Sequence, residues 1–242
     1  MSEYNIYHIF HSGTALKFNN RLFIFDYYRT RKREDIQQVF PSFSKLDSIF
    51  VFASHGHPDH YSKEIFNWSK LNSSIKYILS SDIFVPENVE QQAGKNISKM
   101  AADEKNSFEN IEVRTLGSTD RGVSFLVMTE NANFFHCGDL NWWHWKSFSE
   151  KKLAREEENF KKEVEKLAKM KLKIEIAFVP VDPRLEEHYY LAGRYFSKVI
   201  EPEILVPIHF ENKYQIVDKF REKVRDLSVK VPKIQKHQYC LT

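Results

Sequence analysis

Cysteine is scarce in this sequence: Cys137 and Cys240 are its only two thiols among 242 residues. So sparse a pair excludes a disulfide framework and favours a reducing, intracellular compartment. Glycine and proline are also few, at seven and eight residues, which excludes collagen-like and low-complexity chains. Long apolar runs are missing. The longest are strand-sized, as at residues 49–53, and fall far short of a bilayer span. No basic stretch followed by an apolar run opens the chain at Met1-Ser2-Glu3-Tyr4-Asn5, so no secretory signal is visible and a cytoplasmic location is expected. Net charge is small as well: 36 basic against 33 acidic side chains give a formal +3, too weak a bias to indicate a nucleic-acid binder.

Aromatic residues, by contrast, are plentiful at 14%, including 20 Phe and 11 Tyr, which excludes intrinsic disorder. The length supports one sizeable core, so a single domain over residues 1–242 is expected. Residues 16–18 and 21–25 read as two strands joined at Asn19-Asn20, since Asn tolerates the positive φ of a tight hairpin. Residues 48–53, Ser-Ile-Phe-Val-Phe-Ala, read as a strand buried on both faces. Ser62 caps a predicted helix over 62–70 with Ile65, Phe66 and Trp68 available for packing. Further strands are expected at 75–79, 111–115, 123–129 and 134–136, with Asn131-Ala132-Asn133 turning the last pair.

The second half changes rhythm. Residues 153–170 predict a long amphipathic helix with Leu153, Phe160, Val164, Leu167 and Ala168 on one face. The Lys and Glu residues of 151–173 are interspersed and suit i,i+4 pairing on a solvated face rather than a nucleic-acid patch. Strand 174–179, helix 189–200, strand 204–207 and helix 213–224 follow. Strands first, then strands alternating with helices, indicate an α/β fold with mixed sheets.

The specific signal is Ser54-His55-Gly56-His57-Pro58-Asp59-His60. Four candidate ligands lie within six residues, directly after a buried strand. In an extended segment, i and i+2 point the same way, so His55 and His57 can grip one ion together. Asp59 and His60 lie one turn on and face a neighbouring position, so the spacing suits two adjacent metals. Imidazole mixed with carboxylate favours zinc, with manganese or iron as alternatives.

His55-x-His57-x-Asp59-His60 resembles the HxHxDH signature of the metallo-β-lactamase superfamily. Phe134-Phe135-His136-Cys137-Gly138-Asp139 resembles that superfamily's strand ending in a metal-bridging Asp, and Leu205-Val206-Pro207-Ile208-His209-Phe210 its late strand and His. His11-Ser12-Gly13, the hairpin, and Phe25-Asp26 resemble its opening strands. The His136-x-Gly138-Asp139 and Pro207-Ile208-His209 segments look most like the branch containing L-ascorbate-6-phosphate lactonase. The resemblance implies a four-layered αβ/βα sandwich with the metals at one edge between two sheets. It implies that His55 and His57 bind one ion, that Asp59, His60 and His209 bind a second, and that Asp139 is shared. It also implies a catalytic role for Asp59, which would orient the attacking water and shuttle its proton.

One departure from the family pattern stands out. The superfamily supplies a third His to the first metal, yet no His occurs from Tyr61 to Phe135. Asp120 is one candidate replacement; His136, His144 or His188 reaching in is another; a weak first site is the third. His136 and His11 read as hydrogen-bonding supports rather than ligands. The aromatic cluster Leu140-Asn141-Trp142-Trp143-His144-Trp145 forms either a hydrophobic plug or a wall of the substrate pocket, with Trp142, Trp143 and His144 as its candidate pocket residues. Arg184 either holds a carboxylate or phosphate or pairs with Asp182. Cys137 reads as a small core residue.

The resemblance therefore implies hydrolysis of an ester, lactone or phosphorylated small molecule, with one or two divalent metal ions as cofactors. The alternatives are a phosphodiesterase or nuclease of the same superfamily, and a metal-binding member without turnover. A diiron redox role of the flavodiiron kind fits poorly, because those proteins carry an acidic residue where His57 stands. The expected partner is a small molecule, with neither membrane nor nucleic acid, and a homo-oligomer is left open.

Overall fold

The computed structural model describes residues 4–28, 40, 42–235 and 238–240. Its strands are β1 (Tyr4–Phe10), β2 (Gly13–Phe18), β3 (Arg21–Phe25), β4 (Ser48–Ala53), β5 (Ile75–Ser80), β6 (Ile97–Met100), β7 (Lys105–Phe108), β8 (Ile111–Leu116), β9 (Ser124–Thr129), β10 (Asn133–His136), β11 (Ile176–Pro180), β12 (Ile204–Ile208), β13 (Lys233–Gln235) and β14 (Gln238–Cys240). Among the described residues they form two mixed sheets, ordered β13-β14-β1-β2-β3-β4-β5-β6 and β12-β11-β10-β9-β8-β7. The α-helices are α1 (Glu87–Ala93), α2 (Glu150–Lys169), α3 (Leu191–Ile200) and α4 (Gln215–Lys223). Two sheets with flanking helices are the sandwich expected from the sequence.

Period-two alternation explains how the sheets face each other. On β10, Phe134 meets Phe18 and Phe23 of the other sheet, at ring-centroid distances of 5.6 and 5.5 Å. Phe135, one residue on, points the opposite way and stacks on Phe196 of α3 at 5.5 Å. His136 returns to the inner side and stacks on Phe25 at 4.7 Å. The outer face of the first sheet, with Leu22, Ile24 and Val51, is covered by Ile65, Phe66 and Trp68. Strand β4 is buried along its whole length, as its unbroken apolar run requires.

Local departures have local causes. Residues 62–70 form a 3-10 helix over Lys63–Lys70. Three residues per turn eclipse Ile65 and Trp68 and bury both. Helix α2 starts three residues earlier than its apolar stripe, because the Ser149 hydroxyl accepts from the Lys152 N–H at 3.4 Å. Its charged face carries the pairs Lys161–Glu157 and Lys166–Glu163. The strand expected at 174 begins at Ile176. Asn19 takes the positive φ, 56°, expected of the hairpin turn. Elements α1, β6, β7, β13 and β14 had no sequence signal; β7 is mostly exposed and shows no alternation.

No helix among the described residues is long and apolar enough to cross a membrane. Cys137 is a buried free thiol in the core, and burial pushes its pKa up.

Phe134→Ala should remove the contacts of one inner-face ring with Phe18 and Phe23 and cost about 3–5 kcal/mol. Urea unfolding checks this through a lowered midpoint at unchanged slope.

Candidate metal centre

The functional side chains gather where parallel strands end. Strands β3 and β4 run parallel in one sheet, and β10, β11 and β12 run parallel in the other. Their carboxyl ends carry Asp26, His55–His60, Asp139, Asp182 and His209, in the crevice where open α/β sheets present ligands. The β1–β2 turn adds His11, and the β8–β9 loop adds Asp120.

Asp139 is the meeting point. Its Oδ1 lies 3.1 Å from Nε2 of both His60 and His209, and its Oδ2 lies 3.6 Å from Nε2 of His55. Two groups of ligand-type atoms follow, each clustered within 4.8 Å: His11, His60 and His209 in one, and His55, His57, Asp120 and Asp139 in the other. His55 Nε2 stands 3.0 Å from His57 Nδ1, and His57 Nδ1 stands 3.6 Å from Asp120 Oδ2.

The hydrogen-bond network assigns the histidine tautomers. The His60 Nδ1–H donates to Asp26 Oδ2 at 2.8 Å. Ser54 donates to the same carboxylate from its N–H and its hydroxyl, both at 2.7 Å, so its hydroxyl oxygen accepts from the His55 Nδ1–H at 3.0 Å. The His209 Nδ1–H donates to Asp182 Oδ2 at 3.1 Å. All three rings thereby turn Nε2 toward Asp139. This is the arrangement of metal-binding histidines oriented by carboxylate partners. Asp26, Ser54 and Asp182 were not recognised in these orienting roles from sequence. Their positions immediately before the motif and at strand ends were the available signal.

Several buried atoms in this cluster have no hydrogen bond: both ring nitrogens of His11, His60 Nε2 and Asp139 Oδ1. An unsatisfied buried polar group costs about 1–3 kcal/mol. Imidazole nitrogens and carboxylate oxygens converging in this state fit divalent cations by donor type and by number.

The backbone is also held in unfavourable conformations here. His11, Asp26 and His209 have φ of 53°, 47° and 68°, and the left-handed region costs a non-glycine residue about 1–2 kcal/mol. The His209 N–H donates to the His11 carbonyl at 2.8 Å, which locks two of these three together. Gly122 and Gly138 have positive φ as well, and a Cβ on either would strike Ser54, at 1.9 and 2.6 Å. Both glycines let their loops close against the ligand-bearing turn.

Asp120 is held in place by its neighbour. The Asn141 N–H donates to Thr119 Oγ1 at 2.8 Å, and the Thr119 hydroxyl lies 2.6 Å from the Asn141 carbonyl oxygen that accepts from it. The three histidines weighed beside Asp120 lie elsewhere. His136 donates from Nε2 to the Ser12 carbonyl and accepts from the Gly138 N–H. The rings of His144 and His188 lie tilted against each other at 4.0 Å, outside both groups.

A cleft of about 360 Å³ opens over the groups, lined among others by Asp59, Asp120, Trp143, Trp145, Lys152 and Arg184. Trp143 stacks on Trp145 and meets His209 edge-on. Trp142 turns away onto Phe160 and Tyr195, and neither it nor His144 lines the cleft. The pocket side chains missed from sequence are Thr119, Phe148, Lys152 and Glu156, which carry no motif. Arg184 pairs with Asp182, its Nε and Nη2 standing 2.9 and 2.7 Å from Oδ2, while still lining the cleft.

Electrostatics follow this geometry. Burial, with His209 and His60 adding to it, pushes the His11 pKa down to about 2. Burial also disfavours charged His60, but the Asp139 and Asp26 carboxylates outweigh it and raise the pKa to about 10. Burial opposes ionisation of Asp139 too, and His209 and His60 reverse it, holding its pKa well below the usual carboxylate value.

The sequence matches no protein-family model and no curated protein. Its structure is similar to several solved ones. Igni18, a metallo hydrolase from Ignicoccus hospitalis, superposes on 99% of this chain and 100% of its own, with a TM-score of 0.65 and 13% identity. YhfI from Bacillus subtilis, a metallo-β-lactamase fold protein, matches over 95% and 96%, with a TM-score of 0.56 and 11% identity. CmlA, a diiron β-hydroxylase from Streptomyces venezuelae, matches over 98% of this chain but 54% of its own, with a TM-score of 0.61 and 10% identity. The chain therefore has the metallo-β-lactamase fold.

In metal-free protein the raised His60 pKa stabilises the fold fully below its ordinary value near 6.5, and that stability is lost as pH rises through about 10. Chelator-stripped protein should therefore melt at a lower temperature at pH 9 than at pH 6. Addition of a divalent ion at pH 7 should release protons, measurable by calorimetry in buffers of different ionisation enthalpy.

Proposed function

We propose that the chain is a metal-dependent hydrolase with a two-ion centre, acting on an ester, lactone or phosphorylated small molecule. The observation that carries this reading is Asp139, whose two oxygens face separate groups of imidazoles at 3.1 and 3.6 Å. His55, His57, Asp120 and Asp139 would hold one ion, and His60, His209 and Asp139 the other. Zinc suits this mixture of nitrogen and oxygen donors, and the Asp120 carboxylate in the usual place of an imidazole widens the choice to manganese or iron. Divalent ions at such a centre supply Lewis acidity and water activation.

The chain's own residues do the rest. Asp26 and Asp182 fix the rings of His60 and His209, and Ser54 fixes His55. Thr119 sets Asp120 against the Asp139 segment. The indoles of Trp143 and Trp145 exclude water from one wall of the cleft, and Lys152 and the Asp182-anchored Arg184 offer positive charge to an anionic group of the substrate. The resemblance of the segments around Asp139 and His209 to the ascorbate-phosphate lactonase branch favours a lactone or a phosphorylated compound within the class.

The test is a panel of p-nitrophenyl acetate, an aliphatic lactone and bis-p-nitrophenyl phosphate, assayed before and after chelation. Turnover of the ester or lactone should disappear with the metal and return with zinc or manganese. Turnover of the phosphodiester alone would replace this reading with a phosphodiesterase, and no turnover at all would leave a metal-binding protein. Asp120→Ala should hold about one ion per chain where the wild type holds about two, with hydrolysis lowered about 100-fold or more. Mass spectrometry of metal content, read beside the rate, checks both.

A further inference from the structure

One turn of chain beside the centre carries two aromatic rings, each faced by a cation. The Phe148 N–H donates to the Trp145 carbonyl at 3.0 Å, and both side chains line the cleft. The Arg184 guanidinium lies 5.6 Å from the Trp145 ring centroid, and Lys152 Nζ lies 3.4 Å from that of Phe148. The two cations differ in what else they touch. Both oxygens of Asp182 engage Arg184, so its charge is balanced before any substrate arrives. Lys152 is exposed at the cleft, and among the described residues it forms no ion pair. Further along the same helix, by contrast, Lys161 and Lys166 pair with Glu157 and Glu163.

This arrangement selects by charge and by polarity. An ammonium held over a ring face rather than against a carboxylate keeps its protons for a ligand. One ammonium answers one negative charge. A second negative charge on the ligand would meet Glu156, which lines the same cleft one helical turn on and is close enough to Lys152 for the ammonium to act against the burial that raises its pKa. Asp59 adds a further carboxylate to the cleft. Around Lys152, the Trp145 and Phe148 rings present apolar surface, and a volume of about 360 Å³ holds a small molecule.

We infer that Lys152, with Phe148 and Trp145, forms a subsite for a substrate whose apolar, ring-sized body bears a single negative charge of the carboxylate kind. The inference rests on the hydrolase reading above and deepens it, by naming which members of that broad class the cleft selects: carboxylated esters or lactones ahead of doubly charged phosphomonoesters. Lys152 is the principal anchor of the charge. Arg184, already balanced by Asp182, contributes less and serves mainly as part of the wall.

Binding of benzoate, benzamide and phenyl phosphate to chelator-stripped protein tests this, read by tryptophan fluorescence at about pH 8, where the phosphate is doubly charged. Without an ion, metal coordination of the carboxylate cannot account for the result. Wild type should bind benzoate about 10-fold more tightly than either of the others. Lys152→Met, which keeps the apolar stem, should bring benzoate down to the level of benzamide. Phe148→Leu should weaken benzoate and benzamide together. In zinc-loaded protein, the ratio of kcat/KM for 4-acetoxybenzoate over phenyl acetate should fall about 10-fold in Lys152→Met. Equal binding of benzoate and benzamide by the wild type, tighter binding of phenyl phosphate, a benzoate preference unchanged in Lys152→Met, or no saturable quenching by any of the three would overturn the inference. Turnover of both esters with a ratio unmoved by Lys152→Met would overturn the subsite and leave the hydrolase reading standing. A Lys152-dependent preference for benzoate with no turnover of any ester would overturn the hydrolase reading alone.

Discussion

Asp139, after β10, is a nearly buried carboxylate whose oxygens are shared among imidazoles brought from two segments, after β4 and β12. Taking such a charge out of water costs several kcal/mol unless counter-charge and directed donors surround it. His60 and His209 supply the counter-charge on one side, and His55 faces the carboxylate on the other. Each of the three is itself held by a further side chain, Asp26, Asp182 or Ser54. The ends of the parallel strands are thus tied together through one side chain. The positive φ of His11, Asp26 and His209 shows how far the backbone bends to make that tie.

The network has two tiers. The tier around His60 and His209 is buried, with carboxylates behind it. The tier around His57 and Asp120 is open: their side chains are 39% and 44% exposed. Two neighbouring positions of unequal accessibility, joined by one carboxylate, suit a centre in which one ion is structural and the other meets the substrate.

Much of this was legible in the sequence. The ligand-bearing turn announced itself because four coordinating residues followed a strand too apolar to be anything but core. The strands were legible wherever Phe, Val and Ile alternated or ran together. The supporting carboxylates were less so. Asp26 and Asp182 are single acids at strand ends, and their roles appear only when residues 28 and 27 positions away in sequence fold against them. Trp142 and Trp143 are adjacent and read alike, yet one faces α2 and the other the cleft. That difference comes from the tertiary path of an irregular segment, which composition does not encode. His11 was read as a support, near the site by resemblance alone; its place among the imidazoles depends on His209, almost two hundred residues later.

That separation bears on how the protein assembles. The β1–β2 turn that carries His11 is bordered by strands from residues 21–25 on one side and 238–240 on the other. A chain whose cluster is drawn from positions 11, 60, 139 and 209 must close loops spanning most of its length before the cluster exists. The entropy of such closures grows only logarithmically with length, but non-local contacts of this kind slow folding. Contact topology thus places the centre late in assembly, and an ion held there would act as a cross-link that draws its affinity from the whole fold.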